Sequence, residues 1–576
     1  MPNIVHTGTE EMKKRSKRKH IRRDRVLNPD ALMEVQALIE GLPMQADMLI
    51  EYLHRIQDKY HHLSDQHLLA LATLMKISQA EVYEVASFYH HFDVVKAGEK
   101  APAELTVRVC DSISCEMAGS ENLINTLEVI AGEELRIQRV PCVGRCESAP
   151  LAVVGKKPVL KATSDAIMAN VIANEIEDKA PSSAIRLETY VADGGYALYQ
   201  QIMAGDKPHE ELFTTLENSG LRGLGGAGFP VGRKWRIVSE QAAPRMMAVN
   251  IDEGEPGTFK DRYYLERDPH RFLEGMLIAA EVVGTAEIYI YLRDEYPGIY
   301  LLLEEELLAL RKKFPNTPTL HLRRAAGAYI CGEESAMIES IEGKRGMPRL
   351  RPPYLAEVGL FGRPTLEHNM ESLYWVRDLI EKGAEWFSSQ GRHGRKGLRS
   401  FSVSGRVNKP GVHLAPAGIT LRELIDEYCG GMLDEQTLYG YFPGGASGGI
   451  LPASKADIPL DFDTLNEYGC FIGSAAIIVL SDKDSARTAA LNAMKFFKHE
   501  SCGQCTPCRV GTAKAVKLME QGDWNTDLMS ELSAVMIDAS ICGLGQAAPN
   551  PMNSVITYFP HETKQSEKQG KSRGVS

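Results

Sequence analysis

Residues 500–512 read ESCGQCTPCRVGT, which places Cys502, Cys505 and Cys508 at C-x2-C-x2-C spacing. A lone C-x2-C serves a redox dithiol or half of a zinc site. Packing has no use for three thiols at one turn, and a disulfide uses only two. Repeated C-x2-C with a distant fourth cysteine is the ligand pattern of a [4Fe–4S] cluster, with zinc as the alternative. One cysteine remains downstream, Cys542 in DASICGLGQAAPNP. The glycines after it let backbone come close to a cluster, so Cys542 is the expected fourth ligand. Helical patterning returns from Ser485 around this motif. It predicts a C-terminal helical bundle carrying a cluster over 485–560, then a polar tail over 561–576.

A second constellation lies upstream. Cys110 and Cys115 stand at C-x4-C in RVCDSISCEMAG, and Cys142 and Cys146 at C-x3-C in VPCVGRCESAP. Each pair follows an expected strand, so each sits on a loop at a strand end. Four thiolates from two neighbouring loops suit a [2Fe–2S] cluster; zinc prefers tighter knuckles. Cys331, Cys429 and Cys470 lack partners at ligand spacing and read as buried thiols.

The chain has 576 residues, 44% hydrophobic and 24% charged, as expected for a globular protein of several domains. No apolar run reaches the roughly 18 residues of a membrane span, and no secretory signal follows the start. Eight of the eleven cysteines fall in the two ligand-like groups; this places the chain in a reducing cytoplasm rather than among disulfide-rich secreted proteins. The net charge is −11, yet 13–25 carry nine Lys and Arg against one Asp. Without interleaved aromatic residues this reads as a basic flexible arm over 1–27 that docks on an acidic partner, not as a nucleic-acid site.

Apolar residues recur at three- and four-residue spacing from Asn28 to Phe92 and predict a helical bundle over 28–103, with a capping box at Ser78–Glu81. His61, His62, His90 and His91 lack ligand company there and read as surface or packing residues. From Glu104 the period changes to two, and LTVRVC, LRIQRVPCVG and PLAVVG read as strands of a small α/β domain over 104–178. A linker, EIEDKAPSSAI, follows. A larger α/β domain is expected over 186–395, and a glycine-rich β domain over 396–484. In the latter, PGGASGGI lacks the Lys-Ser/Thr of a phosphate loop and reads as structural or docking.

GLRGLGGAGFPVGRKW holds Gly223-x-Gly225-x-x-Gly228, a formal dinucleotide fingerprint. The segment before it reads as helix rather than strand, so a standard Rossmann βαβ unit is not expected. Glycine backbone can still approach a phosphate or a flat ring closely, and Lys234 adds a cation that suits a phosphate. Two acidic loops follow strands. AVNIDEGEPGTFKDR crowds Asn250, Asp252, Glu253 and Glu255; GAYICGEESAMIES carries Glu333 and Glu334. Carboxylates suit ribose or ribityl hydroxyls, which donate hydrogen bonds.

Together these motifs resemble the flavoprotein, NADH-oxidising subunit of respiratory complex I from about Arg186 to Ala548, on GLRGLGGAGFPVGRKW, NIDEGEPGTFKDR, AYICGEESA, RPPY, ESCGQCTPCRVGT and ICGLGQ. Residues 28 to about 175 resemble its thioredoxin-like [2Fe–2S] partner, including ASFYHHF and the four cysteines. The resemblance implies a multidomain α/β and α+β chain. Its parts are an N-terminal helical bundle, a thioredoxin-like ferredoxin domain, a Rossmann-like FMN/NADH domain, a ubiquitin-like β-grasp domain and a helical bundle with a cluster. The implied cofactors are FMN, NAD, one [4Fe–4S] and one [2Fe–2S] cluster. The implied FMN and NADH site comprises Gly223, Gly225, Gly226, Gly228, Phe229, Lys234, Asn250, Asp252, Glu253, Tyr329, Gly332, Glu333, Tyr354, His368 and Asn369. Glu255 and Glu334 match catalytic positions near the nicotinamide and ribose. Leu224 stands where an arginine is usual, and Ile237 where a phenylalanine commonly lines the NADH site.

Fusion of both units is typical of diaphorase subunits of soluble NAD-linked enzymes. In RPTLEHNMESLYWVRD, His368 replaces a usual asparagine, a variant associated with molybdenum- or tungsten-dependent formate dehydrogenase. The implied partner is that enzyme's catalytic alpha subunit with further iron–sulfur clusters; NAD-reducing hydrogenase is the alternative. A non-enzymatic iron–sulfur scaffold with a dead flavin pocket is the reading of another class. The retained Lys234, Asn250, Asp252, Gly332 and Glu333 argue against it.

Overall fold

The computed structural model describes residues 27–564. Nearly all of the basic arm and the end of the tail lie outside the described residues. Four helices open the described chain: Pro29–Ile39, Leu49–Tyr60, Asp65–Met75 and Gln79–Ala86. The Ser78–Glu81 capping box is present in both directions, side chain to backbone each way. The four-stranded sheet of the next domain has the order Leu135–Val140, Leu105–Cys110, Ala152–Val154, Lys157–Val159, with helices Ser120–Ile130 and Ser164–Ile172 packed on it. The first two of these strands are parallel and the later pairings antiparallel. The expected linker is pinned: the Gly298 N–H donates to Asp178 Oδ2 at 3.2 Å.

A second four-stranded sheet is wholly parallel, in the order Thr365–Asn369, Arg245–Ile251, Thr285–Leu292, Thr319–Arg324. Strands covered on both faces read as continuous apolar runs, and RMMAVNI and IYIYL are such runs. Helix Pro269–Val283 is set by Asp268 at its N-cap, Pro269 in its first turn and Gly284 in left-handed conformation behind it. A five-stranded mixed sheet follows, ordered Gly411–Pro416, Leu398–Gly405, Ala476–Ser481, Leu438–Phe442, Leu451–Pro452, with helix Leu421–Glu427 beside it. Helices Ala486–Glu500, Thr506–Met519, Thr526–Ala539 and Asn550–Tyr558 close the chain. The turn Pro560–Thr563, expected to begin the tail, instead caps this bundle. Glu562 accepts from the backbone of Ala486 and Arg487 at 3.1 and 2.9 Å.

Core assignment does not follow chain order. Tyr52, Leu53, Ile56, Val82 and Tyr89 of the N-terminal helices share one apolar cluster with Tyr291, Ala325 and Met337 of the parallel-sheet domain and with Phe496, Phe497 and Met552 of the C-terminal bundle. The sheet of residues 105–159 has a small core of its own, built on Val107, Val109, Ile124, Leu127 and Ile167. The parallel and mixed sheets share a third. Among the described residues no helix is long and apolar enough to cross a membrane.

Candidate functional site

In the parallel sheet, Asn369 pairs with Asn250 at the carboxyl ends of adjacent strands, where open α/β sheets bind ligands. A cavity of about 510 Å³ opens there. Its floor is Gly225, Gly226 and Ala227, in a loop joining helix His209–Ser219 to helix Val231–Ser239, so the expected departure from strand–loop–helix is present. Its walls come from Asn250, Glu253, Gly254, Glu255, Tyr329, Gly332, Glu333 and Asn369. A Cβ at Gly225 would lie 2.9 Å from the Asn369 Cβ, so only glycine lets this floor sit so near the strand end. The volume lies within the roughly 300–1,000 Å³ usual for ligand sites.

The mixed-sheet domain, whose PGGASGGI reads from sequence as structural or docking, forms part of the cavity through Gly444, Ser447, Phe471, Gly473 and Ser474. PGGASGGI is therefore a cavity wall and not only a structural or docking loop. Sequence reading could not see this, because nothing local links residue 447 to residue 255. Also missed were Lys260, Asp261 and Asn550, which line the same space. Lys260 and Asp261 were visible in TFKDR, but as one cation beside one anion in an acidic loop they gave no sign of burial. Lys260 is 1% exposed; its Nζ lies 2.8 Å from Asp261 Oδ1, 3.0 Å from Glu371 Oε2 and 3.2 Å from Asn369 Oδ1. One fixed cation among buried carboxylates keeps this wall partly neutral.

Glu253 accepts from the backbone N–H groups of Asp261 and Arg262 at 2.6 and 3.1 Å and from the Tyr296 hydroxyl at 2.8 Å. Burial, with Asp261 nearby, pushes its carboxyl up to about 7. Burial likewise raises Glu255, against the hydrogen bonds of Tyr329 and Ser447. Glu333 N-caps the helix Glu334–Ile341, accepting from Ser335 and Ala336 at 3.0 and 2.9 Å. Asp252 faces an adjoining cavity; its Oδ2 is buried without a hydrogen-bond partner, and burial pushes the carboxyl well up.

Other expected residues stand outside the cavity lining. Gly223 closes the glycine loop by donating to the Phe229 carbonyl at 2.8 Å. Gly228, at φ +65°, packs where a Cβ would strike the Phe462 ring. Lys234 donates to the Glu367 carbonyl and carboxylate at 2.9 and 3.1 Å. Glu334, raised by burial and by Glu367, sits 2.7 Å from Arg351. Phe229 and Tyr354 are exposed, at 39% and 57%. His368 is buried and held neutral; its Nε2 accepts from Trp235 Nε1 at 2.8 Å. Leu224, where an arginine is usual, is buried core.

Both cysteine sets converge. Cys502, Cys505, Cys508 and Cys542 line one small cavity with Ile330 and Leu544, and those two residues also line the large cavity. The two spaces thus share a wall. In the other set, Cys110 pairs with Val140 across parallel strands, which brings the two loops together. All four thiols are buried, and the Cys142 and Cys146 sulfurs are 3.2 Å apart; Cys115 and Cys142 beside it, with burial, push the Cys110 thiol well up. These all-sulfur donor sets fit [4Fe–4S] and [2Fe–2S] clusters, and the glycine floor with hydroxyl-accepting walls fits FMN. Arg293 donates to the Cys142 carbonyl at 2.7 Å and to the Glu253 carbonyl at 2.6 Å, tying the second set to the large cavity.

Two of the four histidines read as lacking ligand company, His90 and His91, have it. His90 lies beside His499 and Glu500, and His91 beside His54 and Asp294. Their partners come from segments far apart in sequence, so spacing gave no sign of them.

Comparison with known proteins gives four family matches. Residues 216–378 match the Nuo51 FMN-binding domain and 35–175 the thioredoxin-like [2Fe–2S] ferredoxin. Residues 488–566 match the NADH-ubiquinone oxidoreductase-F iron–sulfur binding region and 400–451 the SLBB domain, the latter covering part of the segment expected to be a ubiquitin-like β-grasp. The chain is 38% identical over 392 residues to an F-type subunit of NADH-quinone oxidoreductase from Rhizobium meliloti, covering 65% of this chain and 93% of that one. It is 38% identical over 410 residues to the mitochondrial NADH dehydrogenase [ubiquinone] flavoprotein 1 of Dictyostelium discoideum, covering 67% and 84%. A solved structure of an NAD+-reducing [NiFe]-hydrogenase in the air-oxidised state aligns with a TM-score of 0.79 at 32% identity, over 90% of this chain and 94% of that one.

Proposed function

The chain belongs to the family of F-type, FMN-binding subunits of NADH-quinone oxidoreductase, with a thioredoxin-like [2Fe–2S] ferredoxin in the same polypeptide; within that family we propose, on a reading of His368, that it is the NAD-reducing subunit of a cytoplasmic, molybdenum- or tungsten-dependent formate dehydrogenase. At the coarser level it is an NADH dehydrogenase-type flavoprotein subunit using FMN, NAD, a [2Fe–2S] and a [4Fe–4S] cluster. FMN supplies the exchange between a nicotinamide's hydride and the single electrons that iron–sulfur clusters accept.

The observation that carries the electron-transfer reading is the wall of Ile330 and Leu544 common to the large cavity and the four-cysteine cavity. In this reading Gly225 and Gly226 allow close backbone approach, Asn250 and Asn369 orient the ring system's polar edge, and the carboxylates accept from hydroxyls. Glu255 and Glu334 hold the nicotinamide nucleotide, while exposed Phe229 and Tyr354 flank it. Cys502, Cys505, Cys508 and Cys542 hold one cluster, and Cys110, Cys115, Cys142 and Cys146 the other.

The formate reading rests on His368, whose Nε2 accepts a hydrogen bond from the Trp235 indole N–H at the position where the family resemblance implies an asparagine. A second reading, a hydrogenase diaphorase, is favoured by the likeness to the hydrogenase structure over 90% of the chain. Purification of the chain with its native partners decides between them. Formate-dependent NAD+ reduction with molybdenum or tungsten in the complex is expected. Hydrogen-dependent reduction with nickel would replace the first reading by the second.

A further inference from the structure

His90, His499 and Glu500 come from opposite ends of the chain and meet at the mouth of a second cavity, of about 140 Å³. His90 is in the turn after helix Gln79–Ala86; His499 and Glu500 end helix Ala486–Glu500. The His499 Nδ1 is 2.9 Å and the His90 Nδ1 3.9 Å from the same oxygen, Glu500 Oε1. The two imidazoles face each other at 4.1 Å between centroids. One potential ligand atom from each of the three lies within 4.8 Å of the others.

We propose that His90, His499 and Glu500 bind one divalent transition ion, with zinc the ion their chemistry selects. Two imidazole nitrogens and one carboxylate oxygen, with an open side for water, are a three-ligand zinc set, whereas magnesium and calcium ask for oxygen donors. The carboxylate is the fixed member: its side chain is 4% exposed and Oε2 is held by the Tyr329 N–H at 2.9 Å. The imidazoles are the adjustable members, 44% and 46% exposed, so small rotations bring their nitrogens to ligand distance. The His54–His91–Asp294 group is different. Arg324 pairs with Asp294 and supplies its positive charge, leaving no place for a metal cation.

Zinc here would fasten the N-terminal helices to Glu500, which stands two residues before Cys502 and holds Tyr329 of the large cavity. The test uses untagged holoprotein with its full iron content, equilibrated with micromolar zinc, freed of excess and assayed for both metals. Wild type is expected to retain about one zinc per chain. His90→Ala and His90→Ala/His499→Ala should bind at least about tenfold more weakly with iron unchanged, a loss of one or more ligands from a three-ligand site. His90 is decisive because it lies on a turn outside both cysteine motifs, 20 residues before Cys110. Failure of wild type to retain zinc, or equal retention by wild type and both variants, overturns the proposal.

Discussion

Ser447 donates both its backbone N–H, at 2.7 Å, and its hydroxyl, at 2.8 Å, to one oxygen of the Glu255 carboxylate. The Tyr329 hydroxyl donates to the other oxygen. A carboxylate in the parallel-sheet domain is thereby oriented by the neighbouring mixed-sheet domain. Hydrogen bonds to a charged group contribute about 1.5–3 kcal/mol each. Glu255→Gln is expected to keep FMN and lower NADH–ferricyanide activity at least about tenfold, since a charged acceptor is lost. Ser447→Ala, which keeps the backbone donor, should lower it less. Unchanged activity in Glu255→Gln would remove this residue from the NADH site.

Cys542→Ala should lose or strongly alter the [4Fe–4S] electron-resonance signal and abolish NAD-linked turnover of the whole complex. NADH–dye activity should largely survive, because the cavity glycines and acids are untouched. Iron should fall from about six atoms per chain toward the two of the remaining cluster. Cys429→Ala is the control, as that thiol is buried in the core shared by the parallel and mixed sheets. Loss of the signal in Cys429→Ala and retention in Cys542→Ala would identify a different fourth ligand.

Gly144→Ala targets the other cluster. Gly144 has φ +71°, and a Cβ there would lie 2.0 Å from the Tyr296 hydroxyl. Left-handed strain alone costs about 1–3 kcal/mol, and the collision adds to it by moving the loop between Cys142 and Cys146. The [2Fe–2S] signal should be lost or shifted while the [4Fe–4S] signal remains. Two unaltered signals would show that the loop accommodates the methyl group.

Glu253 gives a pH dependence. Its carboxyl is moved from an ordinary 4.5 up to about 7 in the folded chain. Between those values the folded state holds a proton that the unfolded state has released, so stability falls as pH rises across this window. The contribution is fully present below 4.5 and gone above about 7. Thermal unfolding of Glu253→Gln should therefore depend less steeply on pH from 4.5 to 7 than wild type. Identical slopes would mean that Glu253 titrates as an ordinary carboxyl.

What was legible followed from spacing. Cys502, Cys505 and Cys508 announce a cluster because ligands on one turn must be close in sequence. Strands such as RMMAVNI announce themselves because both faces are buried. The contribution of Ser447 was illegible, since its partner Glu255 lies in another domain and a serine among glycines has no pattern. Lys260 was illegible for a different reason: its burial depends on Glu371 and Asn369, brought in by a strand added at the sheet's edge. Lys234 was legible as a cation, but in the fold its hydrogen bonds go to Glu367.

The apolar cluster shared by the first helices and the last has a consequence for synthesis. Tyr52, Ile56 and Val82 leave the ribosome early, while Met337, Phe497 and Met552, which cover them, are made much later. At about 5–20 residues per second the uncovered interval is on the order of tens of seconds. The ferredoxin sheet, with its own core, can close on itself meanwhile. The nascent chain therefore carries a finished middle domain beside an amphipathic helical face that is still waiting, and that face is where a chaperone would be needed during translation.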